Sequence, residues 1–282
     1  MSHHYDVSNE FYRLILGESM TYSCAYWSRE DMTLPDAQDA KYELIASKLG
    51  LRSGMRLLDV GCGWGGMAIH AARHHGVNVL GITVSSAQAD LAAKRVAEAG
   101  VADRVEIRLQ DYRDVADGPF DAISSIGMFE HVGLSQLGRY FEQLRSLLRP
   151  EGRILNHAIS RSAGRQRGFD KDSFIARYVF PDGELHEVGA VVTAMQEHGF
   201  EVRDVHSLRE HYARTLRSWV ANLKTGWDEA VRLVDPARAR VWLLYTAGSA
   251  VNFEANRISV HQVLGVKASS EGSSGMPSAR PV

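Results

Sequence analysis

Apolar residues between positions 51 and 159 follow two alternating periods, one typical of strands and one typical of helices. Segments with helical spacing, at about 64–75, 86–99 and 135–148, separate short apolar runs. Strands that alternate with helices indicate βαβ units around a parallel sheet, so we predict the α/β fold class. The apolar runs predict five strands, at residues 55–60, 77–82, 105–109, 120–126 and 153–159.

The segments outside this core carry mostly helical patterns. Residues 1–50 predict two helices, at about 7–17 and 36–49, joined by an aromatic-rich link. Residues 209–254 predict two long helices, in which Trp219, Trp227, Trp242 and Tyr245 can face inward. A further helix at 188–198 precedes one late strand at 200–207.

The tail after Val266 is rich in serine and glycine and too polar to pack, so we expect it to be disordered. We therefore predict one domain over residues 1–266, with an N-terminal helical segment (1–50), a cofactor-binding core (51–159), an insertion and helical part (160–254) and a disordered tail (267–282).

Composition excludes several classes of protein. The chain has 282 residues, a formal net charge of −2 and a pI near 6.6, so nothing in the overall charge indicates a nucleic-acid partner. No apolar run reaches the ~18 residues of a membrane span, and the first residues lack a signal-peptide pattern. Two cysteines, Cys24 and Cys62, form no disulfide framework and suit a reducing compartment. We predict a cytoplasmic enzyme.

A glycine-rich turn follows the first predicted strand, in the sequence Leu-Leu-Asp-Val-Gly-Cys-Gly-Trp-Gly-Gly at 57–66. Gly61 and Gly63 let the backbone turn sharply beside a ligand, and a helix that begins near Trp64 directs free N–H groups at it. Asp59 can orient the turn or meet an ammonium group. The pattern resembles the S-adenosylmethionine loop of class I methyltransferases. A turn without a ligand and a dinucleotide loop are the alternatives, although the third glycine of the dinucleotide pattern is missing.

Polar residues also follow the next three strands. After strand two, Thr83 and Gln88 are the nearest hydrogen-bonding candidates, while Ser85 or Ser86 can simply cap the next helix. After strand three, Asp111 can accept a hydrogen bond from an adenine amino group and Tyr112 can cover the ring, although such pairs are commonly solvated turn residues.

Strand four leads through Ile126 to the neighbours Glu130 and His131. These two can act as a general acid–base pair, a metal pair or a structural ion pair. No third ligand with zinc spacing accompanies them, so we predict no metal.

Several longer segments resemble those of the cyclopropane fatty acid synthases, a family that includes the mycolic acid cyclopropane synthases. They are residues 5–12 (YDVSNEFY), 20–27 (MTYSCAYW), 58–66, 81–88 and 125–133, together with His211, Tyr212, Thr215, Leu216 and Trp219. The resemblance covers about residues 4–266 in the family's order. It implies a class I, Rossmann-like methyltransferase sheet of order 3-2-1-4-5 with a late edge strand, N-terminal helices and a helical acyl-binding cap.

The resemblance also implies an activity. That activity is methylene transfer from S-adenosylmethionine to the cis double bond of an unsaturated fatty acyl chain, bound as a phospholipid, giving a cyclopropane ring through a carbocation that bound bicarbonate deprotonates. The implied bicarbonate site consists of Cys24, Glu130, His157, Ile159 and Tyr245. The implied cofactor contacts are Tyr22, Ser23, Asp59, Gly61, Gly63, Trp64, Thr83, Gln88, Asp111, Tyr112 and Ile126.

The residue types suit that chemistry. Aromatic faces stabilise a dry cation by ~1–2 kcal/mol each, and Tyr26, Trp27, Phe129 and Tyr245 are candidates for this role, although aromatic residues at helical spacing are more often part of the core. A charged side chain is costly in apolar surroundings. A small anion held by His157 and Tyr245 and oriented by Glu130 can act as the base there instead.

Three other functions stay open at this point. Methyl or methylene-branch formation on the same alkene uses the same residues. Methylation of a small secondary metabolite needs a polar acceptor pocket. A cofactor-binding protein without catalysis is disfavoured by the presence of Glu130, His157 and Tyr245 together.

Departures from the family pattern leave the acceptor open. Residues 180–186 read Phe-Pro-Asp-Gly-Glu-Leu-His where the family has Phe-Pro-Gly-Gly-x-Leu-Pro. We expect that the extra N-terminal domain of the larger bacterial synthases is absent. Oligomeric state is left open. The basic residues of the insertion can dock on anionic headgroups or form a solvated loop, and the first alternative predicts transient contact with the inner face of the membrane; they are Arg161, Arg165, Arg167, Lys171 and Arg177.

Overall fold

The central feature of the fold is one eight-stranded sheet. The structure is a computed structural model and describes residues 8–162, 174–179 and 184–278. The strands run in the order β3-β2-β1-β4-β5-β8-β7, and the short β6 pairs with β5. They are β1 (Arg56–Val60), β2 (Asn78–Thr83), β3 (Val105–Leu109), β4 (Phe120–Ile126), β5 (Leu148–Arg161), β6 (His186–Glu187), β7 (Glu201–Ser207) and β8 (Ile258–Val266).

The first five strands are parallel and confirm the predicted order 3-2-1-4-5 and the α/β fold class. The late part of the sheet differs from the prediction, which had one late strand. β8 lies between β5 and β7 and is antiparallel to both. His261 and Gln262 interrupt the apolar run of β8, and Gln262 is fully buried opposite His157. Because these two polar residues divide the apolar run, the apolar pattern did not predict this strand.

Helices cover both faces of the sheet and one end of it. One face carries α2, α3 and α4, and the other carries α5 and α7. The helices α1, α8, α9 and α10 form a separate apolar cluster, here called the cap, which also includes Trp64. The helices are α1 (Asn9–Leu16), α2 (Leu34–Leu49), α3 (Gly66–His75), α4 (Ser86–Glu98), α5 (Leu137–Leu147), α6 (Phe174–Tyr178), α7 (Val188–Glu197), α8 (Arg209–Thr225), α9 (Trp227–Val234) and α10 (Pro236–Glu254).

The segment 209–254 forms three helices where two were predicted. Gly226 separates α8 from α9, and Asp235 separates α9 from α10. Asp235 accepts hydrogen bonds from the backbone N–H groups of Ala237 and Arg238, and Pro236 then starts the next helix. An aspartate cap followed by proline is a strong helix start.

The helix α2 is held in place at both ends by local chemistry. Thr33 and Asp36 form a capping box at its start, and Gly50 ends it with a φ of 65°. Its buried face carries Gln38 and Lys41 among apolar residues. This helix therefore brings two polar side chains into the interior of the protein.

The tail differs from the expectation of disorder over the residues that the structure describes, 267–278. The Lys267 backbone N–H donates to the Gly152 carbonyl at 2.9 Å, and the Arg153 guanidinium donates to the Gly275 carbonyl at 3.2 Å. Met276 packs against the apolar cluster beneath α2 and α3. The serines and glycines of this segment bury no apolar area, and backbone hydrogen bonds to β5 hold the segment in place instead.

Within the described ranges, no helix has both the length and the apolar content needed to cross a bilayer.

Candidate active site

One cavity of about 680 Å³ lies between the carboxyl ends of the sheet strands and the cap. Ligands of open α/β sheets bind at this edge. All sixteen residues predicted from the sequence line it, and they are Tyr22, Ser23, Cys24, Asp59, Gly61, Gly63, Trp64, Thr83, Gln88, Asp111, Tyr112, Ile126, Glu130, His157, Ile159 and Tyr245.

The glycine turn is attached to the neighbouring strand and to the N-terminal segment. Gly61 and Gly63 have φ values of 73° and 55°, which favour glycine. The N–H of Gly61 donates to the Ile82 carbonyl at 3.0 Å. The helix α3 begins at Gly66 rather than at Trp64, whose indole N–H donates to Asn9 at 2.9 Å. Trp64 thus connects α1 to the turn.

Asp59 is buried at the end of β1 with one oxygen satisfied. Its Oδ1 accepts a hydrogen bond from the Ser124 hydroxyl at 2.7 Å, whereas its Oδ2 has no partner among the described residues. Burial raises the pKa of Asp59 to about 6. A buried, half-satisfied carboxylate of this kind fits a cationic ligand group.

Lys41 is a functional candidate that was not predicted from the sequence. It is fully buried on α2 and lines the same cavity. Its ammonium group donates to the Ser23 hydroxyl at 3.1 Å and lies 3.9 Å from the centre of the Tyr42 ring. Burial lowers the pKa of Lys41 to about 7. Within the described ranges, no carboxylate lies within ion-pair distance of this amine.

The sequence did hold a signal for this residue. Gln38, Lys41, Tyr42 and Ile45 have the spacing of one helix face, and two of them are polar on a face that is otherwise apolar. Gln38 donates to the Ser23 carbonyl at 3.0 Å, so α2 holds the Tyr22–Ser23 segment in position.

The polar residues after strands two and three are partly engaged with one another. The Thr83 hydroxyl donates to Gln88 Oε1 at 2.8 Å. Ser85 is the N-cap residue of α4, which is the capping role that the sequence offered as an alternative to a ligand contact. Asp111 accepts hydrogen bonds from the Arg113 guanidinium, and this lowers the pKa of the carboxyl group. Asp111 is therefore ionised at the cavity edge, and its contact with adenine stays a prediction.

Glu130 lies on the short helical turn Phe129–His131, which follows β4 and contacts β5. Its Oε1 accepts a hydrogen bond from the Ile159 backbone N–H at 2.7 Å, and its Oε2 has no partner in the described part of the chain. Burial of the carboxyl group raises its pKa to about 7. Glu130 is consequently fixed in position with one oxygen available to a ligand.

His157 faces the cavity from β5 as a neutral ring. Its Nδ1 lies 3.3 Å from the Gln262 side-chain amide, and burial lowers the pKa of the imidazole to about 3. In the tautomer that accepts the Gln262 N–H at Nδ1, the ring proton is on Nε2. Nε2 has no partner among the described residues. The ring therefore offers a donor to the cavity.

Two tyrosines and a cysteine complete this wall. The Tyr22 hydroxyl donates to the Tyr245 hydroxyl at 3.2 Å, and burial raises the pKa of Tyr245 to about 12. The Cys24 thiol donates to the Ala25 carbonyl, and burial raises its pKa far above the usual range. Both groups stay protonated at neutral pH and can donate hydrogen bonds.

For three of the four aromatic candidates the structure agrees with the alternative of ordinary packing. Of the four candidates for cation stabilisation, Tyr245 alone belongs to the described cavity lining. Tyr26 packs on His211, Trp27 donates to Thr215, and Phe129 packs in the core against Tyr140. The apolar periodicity that marked them is that of ordinary packing.

The basic cluster of the insertion is described only in part. Arg161 forms an ion pair with Glu187 at 2.7 Å, so its charge is neutralised beside β5. Arg177 lies against the exposed Tyr178 ring. The other members, Arg165, Arg167 and Lys171, lie outside the described residues, as do residues 180–183 of the Phe-Pro-Asp-Gly segment.

Comparisons with known proteins identify the family of this chain. The sequence model described as "Mycolic acid cyclopropane synthetase" matches residues 1–263. The probable fatty acid methyltransferase Rv3720 of Mycobacterium tuberculosis is 49% identical over 275 residues, covering 98% of this chain and 64% of that protein. The cyclopropane-fatty-acyl-phospholipid synthase of Escherichia coli K12 is 38% identical over 261 residues, covering 93% of this chain and 66% of that protein. The chain thus spans about two thirds of the length of these two relatives.

Solved structures agree with this assignment. The cyclopropane synthase MmaA2 from Mycobacterium tuberculosis is 35% identical with a TM-score of 0.88, over 93% of this chain and 95% of that one. The mycolic acid cyclopropane synthase CmaA1, complexed with SAH and CTAB, is 37% identical with a TM-score of 0.87, over the same shares. The chain therefore belongs to the mycolic acid cyclopropane synthetase family and has the fold of S-adenosylmethionine-dependent methyltransferases.

Proposed function

We propose that the chain transfers a methylene group from S-adenosylmethionine to the cis double bond of an unsaturated acyl chain, bound as a phospholipid, and forms a cyclopropane ring. One observation carries the proposal. The charged cofactor candidates and the Glu130–His157 pair line the same cavity, and apolar side chains complete its wall, among them Met128, Leu216, Phe253 and Val260. An apolar wall suits an alkene rather than a polar metabolite.

The cofactor fits the part of the cavity that lies at the carboxyl ends of β1 and β2. Its methionyl part carries one ammonium and one carboxylate. Asp59 holds an unpartnered buried oxygen for the first, and Lys41 holds a buried amine for the second. Thr83 and Gln88 are the candidates for the ribose hydroxyls, and Tyr112 for the adenine face. When bound, S-adenosylmethionine supplies an electrophilic methyl carbon.

Bicarbonate fits the wall formed by Glu130, His157 and Tyr245. The His157 Nε2–H and the Tyr245 hydroxyl can donate to its oxygens, and the unpartnered Glu130 Oε2 can accept its hydroxyl proton. The Ile159 N–H keeps the Glu130 carboxylate in that orientation. When bound, bicarbonate supplies a base in surroundings where an unpaired carboxylate would be costly. The Tyr245 ring also presents an aromatic face to a developing cation.

Methyl-branch formation is the second candidate function. The relatives with 49% and 45% identity are named probable fatty acid methyltransferases. The same cavity serves a methylene branch as well as the ring, because in the branch a hydride first shifts within the cation and the base then takes a proton from the new methyl group.

Lipid analysis of cells that express the chain tests the substrate class. We expect monounsaturated phospholipid acyl chains to gain the mass of one CH₂ unit and saturated chains to keep their mass. Catalytic hydrogenation of the extracted lipid distinguishes an exomethylene group, which takes up hydrogen readily, from a saturated product. An unchanged acyl profile together with a methylated polar metabolite would contradict the proposal.

We further propose that the exposed strip of α10 touches the membrane surface. Leu244 and Val251 are seven residues apart on one helix face and are 60% and 43% exposed. Tyr245, Ser249 and Asn252 of the same helix line the cavity beside this strip. A lipid that enters the cavity along α10 would therefore pass the two apolar side chains.

Vesicle sedimentation tests this contact. The double variant Leu244→Gln, Val251→Gln is expected to bind unsaturated phosphatidylglycerol vesicles about three- to tenfold more weakly, because two partly inserted aliphatic side chains are lost. The matched control is Val205→Gln, which changes an exposed residue of β7. Equal binding by both variants would rule out a role for this strip.

A further inference from the structure

We propose that Glu43, His70 and His75 form a binding site for a divalent transition metal such as Zn²⁺ on the outer surface between α2 and α3. None of the three lines the active-site cavity. The site is therefore separate from the proposed reaction.

The three side chains converge on one point. Glu43 Oε2 lies 3.3 Å from His70 Nε2 and 3.0 Å from His75 Nε2. All three donor atoms lie within 4.8 Å of one another. Ligands bonded to one tetrahedral zinc ion at about 2.0–2.2 Å are separated by about 3.3–3.6 Å. The spacing therefore needs only a small adjustment to admit an ion.

The ligand types match the same metal. Two imidazoles and one carboxylate are a known zinc set that leaves positions open to water. The side chains of His70 and His75 are only 10% and 19% exposed, so packing restricts their rotamers, whereas Glu43 reaches them from solvent. The His74 ring packs at a tilt against His70 with ring centres 4.6 Å apart, yet it is not part of the converging group.

A bound ion would connect two helices that shape the active-site cavity. Glu43 belongs to α2, which also carries Lys41 and Tyr42. The two histidines belong to α3, which begins at the glycine turn, and the Tyr42 ring lies 5.6 Å from His70. Binding to the folded state alone would stabilise this junction.

Titration calorimetry with ZnCl₂ on the full, untagged chain, first stripped with a chelator, tests the site. We expect binding at this site to weaken more than about tenfold in Glu43→Gln and in His75→Gln. The neighbouring His74→Gln is the matched control and is expected to keep the wild-type affinity.

Two further readouts separate the site from other histidines. Zinc is expected to raise the Tm of the wild type and of His74→Gln by at least about 2 °C, and to leave the Tm of the two ligand variants unchanged. Cobalt(II) bound at low coordination number gives intense visible absorption bands. We expect these bands with the wild type and with His74→Gln, and we expect none with the two ligand variants. Equal zinc affinity and equal Tm shifts in wild type and ligand variants would overturn the proposal, as would the absence of zinc binding by the wild type.

Discussion

Replacing Glu130 with glutamine is expected to lower kcat by about 10²–10⁴-fold while the dissociation constant for S-adenosylmethionine changes less than about threefold. Glutamine keeps the shape and can still accept the Ile159 N–H with its carbonyl oxygen. The other end of the amide then presents an NH₂ group where the proposal needs an acceptor for the bicarbonate hydroxyl. Turnover on phospholipid vesicles and cofactor calorimetry measure the two quantities separately.

The pH dependence gives a second readout of the same group. Because burial raises the pKa of Glu130 to about 7, we expect wild-type activity to fall as pH is lowered through this value. The sign for stability is the opposite. A carboxyl group with a raised folded pKa contributes stability that is lost as pH rises from its unfolded value through about 7, so Glu130→Gln is expected to be at least as stable as wild type at pH 8.

Glu184→Gln is the matched control, because Glu184 also accepts a backbone N–H, from Leu134, but does not belong to the described cavity lining. We expect it to keep wild-type turnover. Full activity in Glu130→Gln, or an equal loss in both variants, would refute the role given to Glu130.

Replacing Lys41 with methionine is expected to weaken S-adenosylmethionine binding about 10–100-fold at pH 6.5, where the wild-type amine is largely charged. Methionine has a similar length without the charge, so it removes the partner proposed for the methionyl carboxylate. Calorimetry with S-adenosylmethionine measures the loss directly.

The same variant is expected to be more stable than wild type at neutral pH. Burial lowers the pKa of Lys41 from 10.5 to about 7, so between these values the unfolded chain binds a proton that the folded chain releases. Wild-type stability therefore rises with pH across that window, and the variant lacks this slope. A Tm series from pH 6 to pH 10 measures it.

Lys94→Met controls for a general effect of losing a lysine, since Lys94 lies exposed on α4 beside Glu98. It should bind the cofactor as wild type does. An unchanged cofactor affinity in Lys41→Met would show that the carboxylate is held elsewhere.

Much of the fold could be predicted because its signals are local. The strands β3 and β4 have the predicted bounds, and the other parallel strands start or end within a few residues of theirs. The Asp59–Gly63 turn likewise needs particular residues at adjacent positions. Parallel strands then bring their carboxyl ends together, which is why the predicted residues that follow these strands meet in one cavity. Tyr22, Ser23, Cys24 and Tyr245 lie outside the parallel strands and were implied by the family resemblance.

The missed features depend on contacts between distant residues. β8 joins the sheet through long-range pairing with β5, and its polar centre is explained only by the partner His157. Lys41 on α2 gains its meaning from Ser23 and Asp59, which approach it only in the folded chain. The aromatic side chains of Tyr26 and Phe129 have the same periodicity whether they face a cavity or the core, so pattern alone does not separate the two.

The most direct test uses S-adenosylmethionine with a fully deuterated methyl group, incubated with the chain, bicarbonate and vesicles of a monounsaturated phospholipid. We expect an acyl product that has lost its alkene and keeps two of the three deuterons, because one leaves with the base as the ring closes. An acyl product that keeps all three deuterons, or label found only outside the acyl chain, would contradict it.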